Sequence, residues 1–320
     1  MLNKEALNKL LNGKNLLAFS YGVDSTALFY LLVQNGINFN LVFINYNTRS
    51  NSKNEELAAR NLAAKFNKKI YIKQVNFNLE NSNFESVARD FRYKFFEEIC
   101  QEFGYENLIT AHQLNDKFEW FLMRLSKGSG VVNALGMNAI DHKKHFFVVR
   151  PLIDTSRTEI LEFLHANEYK YFIDSSNLNT NFERNFIRAE FSDNFIKKFK
   201  NGVKKSFEFL EQDKKHLLNG EIYSNSEFFV IKNRENHMNL IDKALKKLNI
   251  VMSQKQRKQA LEDCVISGKV VICYTKDCIY IAPYQTHIMD KVFKEKCRLK
   301  KVPPLIRGYI FTHQDLLKWF

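Results

Sequence analysis

The chain has 320 residues, 45% hydrophobic and 26% charged, a composition that suits two globular domains with a substantial core and excludes a disordered segment. Its net charge of +13 favours a polyanionic partner, and the excess is uneven: residues 1–200 carry 26 Lys+Arg against 22 Asp+Glu, residues 201–320 carry 22 against 13. No stretch approaches the ~20 apolar residues of a membrane span, the N-terminal MLNKEALNKLLNGKN reads as an amphipathic helix rather than a signal peptide, and five cysteines without a CxxC suit free thiols in a reducing cytoplasm.

Along the first half, short apolar runs alternate with amphipathic stretches. Leu16–Phe19, Asn40–Asn45, Ile70–Val75, Asn107–Ala111 and Phe146–Val149 are predicted strands. Helices are expected over Ser25–Gln34, Asn54–Phe66, Phe84–Phe103 and Asn115–Leu125. This pattern predicts an α/β fold with a doubly wound, parallel, five-stranded sheet. Ligands of such sheets bind beyond the carboxyl ends of the strands, where the turn Ser20–Ser25 and the segment after Thr110 both lie. Helices are expected next at Thr155–Ala166 and Asn185–Lys200. From about residue 202 the character changes to helices at 204–218, 239–249 and 253–266 around strands at 227–232, 269–275 and 278–282. The run KVVICYTKDCIYIAP predicts a hairpin turning at Lys276-Asp277. The expected domains are therefore a sheet domain over 1–200 and a smaller, basic α+β domain over 201–320 that ends in a Lys/Arg-rich tail.

The turn SYGVDS, Ser20 to Ser25, is neither a Walker A loop nor a GxGxxG turn. At a strand-to-helix junction its backbone N–H groups and the positive helix end would attract phosphate, with hydroxyls from Ser20 and Ser25. Asp24 would repel a bare phosphate, so it makes sense beside Mg²⁺, which a carboxylate and a phosphate can share. Helix capping by Asp24 or Ser25 explains the same residues equally well. His112, Asp116 and Glu119 are spaced to share one helix face. The like charges of Asp116 and Glu119 call for a cation between them, either a metal ion or a substrate ammonium. Arg89 and Arg92 form an i, i+3 pair, with ion pairing to Glu85 or Glu97 as the alternative to phosphate contact. Arg184 and Arg188 form an i, i+4 pair that suits a phosphate-facing helix side.

Read together, these segments resemble a known family. SYGVDS looks like the S-G-G-x-D-S pyrophosphate loop of the N-type ATP pyrophosphatases. Ala88–Tyr93 resembles A-R-x-x-R-Y, and Thr110–Glu119 resembles T-x-H-H-x-D-D-Q-x-E. Lys127–Gly130 with Leu135-Gly136-Met137, Arg150-Pro151-Leu152 with Arg157, and Asp174–Asn177 with Arg184–Arg188 follow in the family's order. Over residues 15–190 this order resembles the tRNA(Ile)-lysidine synthases, and the later hairpin domain is similar to their tRNA-binding domain. The resemblance implies an adenine-nucleotide-alpha-hydrolase-like sheet and the use of ATP and Mg²⁺ to adenylate the wobble cytidine of an isoleucine tRNA with a CAU anticodon. L-lysine then displaces AMP. It implies ATP binding by Ser20, Tyr21, Gly22, Val23, Asp24, Ser25 and His112. It implies catalysis by Asp24, Arg92, Asp116 and Glu119, metal at Asp24 and Asp116, and tRNA contacts from Arg89, Arg184 and Arg188. The chemistry asks for a carboxylate base such as Asp116 or Glu119 to hold lysine's amine neutral. A homodimer stays open.

Departures from the pattern are Tyr21 for a loop Gly, Asn115 for the first Asp of the D-D pair, Lys117 for Gln, and Tyr46-Asn47-Thr48-Arg49 for H-x-L-R. Asn115 keeps an amide oxygen that is able to ligate. For Tyr21 the expectation is a negative φ with the ring pointing away, and Gly22 carrying any special backbone geometry. Another tRNA-modifying enzyme such as a thiolase would share the loop but would need paired cysteines, and only Cys100 falls in the sheet domain. The H-x-E and P-C-x-x-C signature of zinc deaminases is absent. A non-catalytic RNA-binding module accounts for the charge but not for the ordered motifs.

Overall fold

The computed structural model describes residues 1–47, 52–75, 84–173, 182–225 and 227–320, with backbone only at 84–86. The chain divides into two compact units, Met1–Leu210 and Glu211–Phe320.

The first unit begins with α1 (Lys4–Leu11), capped by the Asn3 side chain, and β1 (Asn15–Ala18). There follow α2 (Val23–Gln34), β2 (Phe39–Asn45), α3 (Ser52–Lys65), β3 (Ile70–Gln74), α4 (Phe84–Phe103), β4 (Asn107–Ile109), α5 (Leu114–Leu125), the short α6 (Val131–Ala134), β5 (Ile140–His142), β6 (Phe147–Val149) and α7 (Arg157–Ala166). The strands form one six-stranded sheet in the order β3-β2-β1-β4-β6-β5. All neighbours are parallel except β5, which runs antiparallel to β6 with Asp141 opposite Val148. The expected five strands are thus all present, and the sixth, antiparallel edge is a correction. Its sequence, IDH, carries too little apolar signal to read as a strand.

Strand alternation assigns each face. Leu17 and Leu41 point into a core shared with α1, α2, α3 and α7, whereas Leu16, Val42, Leu108 and Val148 pack against Phe95, Phe96, Ile99 and Cys100 of α4. β1 lies between β2 and β4, so the strand order reverses beside it, and the turn after β1 opens at that crevice. The remainder of the unit is one helical run: α8 (Glu183–Ile187), a π-helical turn (Arg188–Ser192) and α9 (Asp193–Leu217), which is kinked at Phe199 (φ −122°, ψ 20°). Ile196, Val203 and Phe207 of α9 bury against Leu114 and Leu135.

The second unit holds β7 (Glu221–Ser224), β8 (Phe229–Lys232), α10 (His237–Lys247), α11 (Gln254–Gln259), β9 (Cys264–Ile266), β10 (Val270–Tyr274), β11 (Cys278–Pro283), α12 (Lys291–Leu299) and α13 (Arg307–Thr312). Its antiparallel sheet runs β7-β8-β11-β10-β9. The β10–β11 hairpin turns at Lys276-Asp277, as predicted. Residues 264–266, expected to end a helix, instead pair with β10 as an edge strand. One sheet face packs on α10 and α11. The other packs on the chain beyond 283, where Phe293, Cys297, Ile306, Tyr309 and Ile310 are buried. The basic tail therefore supplies about half of the core on this second face.

Candidate active site

The pyrophosphate-type loop leaves β1 at the sheet's centre and enters α2. Its helix cap is Gly22 (φ −78°, ψ 172°), and no side chain caps the end. Capping by Asp24 or Ser25 is therefore set aside. Ser25 Oγ instead donates to Gly22 O (3.2 Å), accepts from Ser20 N (3.3 Å) and lies 3.1 Å from Ser20 Oγ. The first N–H groups of α2 have no partner one turn back, as at any helix start, and lie just beyond the carboxyl end of β1.

Tyr21 corrects the expectation made for it. Its φ is 59°, so Tyr21, and not Gly22, carries the left-handed conformation. The ring does point away from the crevice, buried to 9% exposure between Phe19 (centroids 5.1 Å) and Phe172 (5.3 Å), both edge-on. Tyr21 O accepts from Phe172 N at 2.9 Å, which ties the loop to the segment ahead of residues 174–177. A cavity of about 590 Å³ behind the loop, lined by Tyr21, Tyr30, Leu62, Lys65 and Tyr169, contains none of the acidic residues of the site.

The second wall comes from β4 and α5. His112 lies in the turn ahead of α5 and not on its face, because Gln113 caps the helix. Asp116 completes that capping box, its Oδ2 accepting from Gln113 N at 2.9 Å. The Gln113 amide also donates to Asp24 Oδ1 at 3.4 Å, joining the two walls. Asp116 and Glu119 do lie together, as their spacing requires, but the cations between them come from the chain itself. Arg184 Nη2 donates to Asp116 Oδ1 (2.5 Å) and Nε to Glu119 Oε2 (2.8 Å), while Arg188 grips both Glu119 oxygens (2.7 and 3.0 Å). Glu119 is 0% exposed, so this four-charge cluster replaces solvation that its carboxylate has lost entirely.

The electrostatics follow from that pairing. Burial opposes ionisation of Asp116, yet Arg184, His112, the Gln113 N–H and Arg188 together outweigh it and hold the carboxyl below its ordinary value. Burial likewise opposes the charge on Arg184 and Arg188, and the two carboxylates more than restore it. Among the described residues Asp24 has no such paired counter-ion. Burial and the Asp116 charge push its carboxyl up to about 7, against the pull of Arg157 and Arg188. His112 is pushed down to about 4 by burial and by Arg150, Arg184 and Arg89 against the pull of Asp116, so its ring is neutral at pH 7. Its Nδ1 lies 2.9 Å from Thr110 Oγ1.

Asn115 is fully engaged as a strut. Its amide donates to Asp193 (2.8 Å) and its oxygen accepts from Arg157 N (3.2 Å), joining α5 to α7 and α9. Arg92 is exposed on α4 and Arg89 lies 5.6 Å over the Tyr93 ring. Tyr46, in the family's histidine position, donates to Ala88 O (3.4 Å). Gly136 abuts Trp120 so closely that an added Cβ would lie 2.1 Å from the indole nitrogen. Asp193 and Gln113 act here without having been singled out for the site, since neither belongs to a local charge pattern. Arg49 and the Asp174–Asn177 element lie outside the described residues, and among the described residues no group of three or more His, Cys, Asp or Glu gathers as a metal cage.

A family model described as a PP-loop domain matches residues 2–194. The chain is 46% identical to a tRNA(Ile)-lysidine synthase of Campylobacter jejuni over 98% of its own length and 97% of that protein's. It is 39% identical to one from Wolinella succinogenes (95% and 94%) and 37% identical to one from Helicobacter pylori (97% and 93%). Among solved structures, a U34-tRNA thiolase from Methanococcus maripaludis shares the fold, with a TM-score of 0.55 at 21% identity over 68% of this chain and 79% of that one. The uncapped loop, the paired carboxylates and these relatives agree: the chain belongs to the tRNA(Ile)-lysidine synthase family of PP-loop proteins.

Proposed function

We infer that this protein is an ATP-dependent ligase that joins L-lysine to the wobble cytidine of an isoleucine tRNA with a CAU anticodon. The route passes through an adenylated tRNA and releases pyrophosphate and AMP. The observation that carries the reading is the meeting, at the ends of β1 and β4, of an uncapped helix N-terminus with Asp24 and the Asp116–Glu119–Arg184–Arg188 cluster.

In this reading the N–H groups of Val23, Asp24 and Ser25 with the Ser20 hydroxyl hold the pyrophosphate. Asp24 is the metal ligand that fits. Among the described residues it is the acidic side chain of the site without an ion pair, and Mg²⁺ is held by one or two carboxylates together with substrate phosphates. Asp116 has both oxygens committed, to the Gln113 N–H and to Arg184, and it suits a binding role better than a metal cage. Mg²⁺, when bound, would offset charge on the phosphates. Neutral His112 is suited to donate or accept one hydrogen bond at the nucleotide. Asp116 and Glu119 receive the lysine amine when an arginine gives way. Arg184 or Arg188, so released, would carry its charge to the phosphate or tRNA, consistent with the tRNA contacts assigned to them and to Arg89. Arg92, exposed and one helical turn from Arg89, is placed to meet the substrate. The basic second domain, expected over 201–320 and corresponding to the unit Glu211–Phe320, binds the tRNA body in the cytoplasm.

A thiolase is the other reading that the loop admits. Cys100, the one cysteine of the first unit, is buried and its thiol is pushed up to about 12, mainly by burial, which removes the thiolate that sulfur chemistry needs. The test is incubation with ATP, lysine and isoleucine tRNA, followed by nucleoside mass analysis. Loss of cytidine with a lysine-sized gain is expected, whereas sulfur incorporation or an unmodified tRNA overturns the reading. Asp116→Asn should abolish turnover while tRNA affinity persists, and full turnover in that variant would sink the site assignment.

A further inference from the structure

The helical run that holds Arg184 and Arg188 has an outer face which the catalytic reading does not use. Phe182, Phe186, Phe191, Phe195 and Phe199 lie on it, each between 41% and 53% exposed. Their steps are four, five, four and four residues. The five-residue step spans the π-helical turn, whose wider i→i+5 winding absorbs the extra residue and keeps the rings on one side. The contacts bear this out: Phe186 and Phe191 centroids are 6.0 Å apart, Phe195 and Phe199 are 4.9 Å apart, and Phe195 stacks on Phe118 of α5 at 5.3 Å. Ile187, Ser192 and Ile196, which alternate with them, are buried on the inner side.

Half-exposed rings in a row are costly in water and mark a surface that is covered in use. Charge says by what. Lys198 stands exposed beside the rings with no carboxylate partner among the described residues, its Nζ 5.4 Å from the Phe199 ring, whereas Lys197 is exposed on another side of the helix. Of the three carboxylates from Glu183 to Phe199, Glu183 is paired with Lys127 and Asp193 is taken by Asn115 and Arg157, which leaves Glu190 against the lysines. A second copy of this face would set lysine against lysine. Single-stranded nucleic acid would set phosphates against lysines and base faces against phenylalanines.

We propose that the Phe186–Phe199 face is a stacking platform for unpaired bases of the tRNA anticodon loop, with Lys198 on a flanking phosphate. The proposal rests on the tRNA-modifying reading and deepens it. Arg184 and Arg188 belong to the same helical run and turn inward to Glu119, so the platform and the site share one element.

The test uses the full chain and a 17-nucleotide anticodon stem-loop RNA with 2-aminopurine in place of the adenine of its CAU loop. Wild type should quench the 2-aminopurine. F191A/F195A should weaken binding on the order of tenfold per unstacked base and lose the quench. F191W/F195W should keep both, which separates lost stacking from lost folding. K198Q should lower the slope of log K against log salt by about 0.7. Wild-type affinity and quench in F191A/F195A would overturn the platform. Equal weakening of a fully paired RNA of the same length would overturn it as well. So would a dimer that dissociates in F191A/F195A with RNA binding intact, since the face would then be a subunit contact. Failure of wild type to form lysidine would sink the catalytic reading and leave this binding measurement fully readable.

Discussion

Tyr21 offers a test in which the sign, and not merely the size, of an effect decides. At an ordinary position glycine is less stable than alanine by roughly 0.5–1 kcal/mol, because the unfolded glycine has more freedom to lose. At φ 59° the order should invert, since an L-residue in the left-handed region costs about 1–2 kcal/mol that glycine does not. The ring adds a second contribution. Tyr21 is 9% exposed and meets Phe19 and Phe172 edge-on, so truncating it should cost about 3–5 kcal/mol, as for other large aromatic side chains in cores. Tyr21→Ala keeps the backbone strain and loses the ring, and should therefore be destabilised by about 3–5 kcal/mol. Tyr21→Gly loses the ring but relieves the strain, and should be less destabilised than Tyr21→Ala by on the order of 1 kcal/mol. Urea unfolding followed by near-UV circular dichroism reads both differences. A Tyr21→Ala protein more stable than Tyr21→Gly would refute the left-handed assignment. A Tyr21→Gly protein as stable as wild type would refute the anchoring role of the ring.

Other consequences concern the charged cluster. Asn115→Asp would place a carboxylate where an amide now donates to Asp193 at 2.8 Å, and should cost about 1–3 kcal/mol in thermal or urea unfolding. The double variant Asn115→Asp, Asp193→Asn should recover much of that loss, and no recovery would mean that the contact is not the cause. Asp24 is raised in the folded state to about 7 from an ordinary value near 3.8, so the unfolded chain releases this proton first and stability contributed by the group falls as pH climbs from about 4 to 7. Asp24→Asn should therefore gain melting temperature over wild type progressively across that window and level off above it. A constant difference from pH 4 to 8 would contradict the raised carboxyl. Arg188→Ala strips one partner from the fully buried Glu119 and should cost about 3 kcal/mol, near the low end for a broken buried pair because Arg184 remains. Adding Glu119→Gln should return most of it, as measured by the same unfolding curves.

How far the sequence carried depends on the range of each interaction. Strand existence was legible because it is local: four to seven apolar residues between turns, with Leu16 and Leu17 already assigning opposite faces. Strands β5 and β9 escaped because IDH is polar and CVI follows a helical pattern without a breaker, so only pairing with β6 and β10 makes them strands. His112 was placed one element too late for a related reason. Its spacing to Asp116 fits a helix, but the Gln113–Asp116 capping box starts α5 after it.

The cluster itself marks where local pattern stops being informative. That Asp116 and Glu119 need a cation follows from their spacing alone, and the need is met by Arg184 and Arg188 from 65 to 69 positions downstream. An i, i+4 arginine pair looks the same in sequence whether it faces phosphate or carboxylate. The distinction has a mechanistic consequence. With two arginines on two carboxylates the cluster is neutral as a unit, and the unbalanced charge of the crevice falls on Asp24, the side chain nearest the uncapped end of α2. In the proposed reaction a metal-bound pyrophosphate would therefore be favoured at the loop and not at α5. A substrate amine entering at Asp116 and Glu119 would have to displace a guanidinium, which would then become available to the phosphate as negative charge develops there. In such an exchange the same two arginines would serve first as placeholders for the lysine amine and then as ligands for the leaving group, which gives one reason for a site that binds an amine to be built already filled with cations.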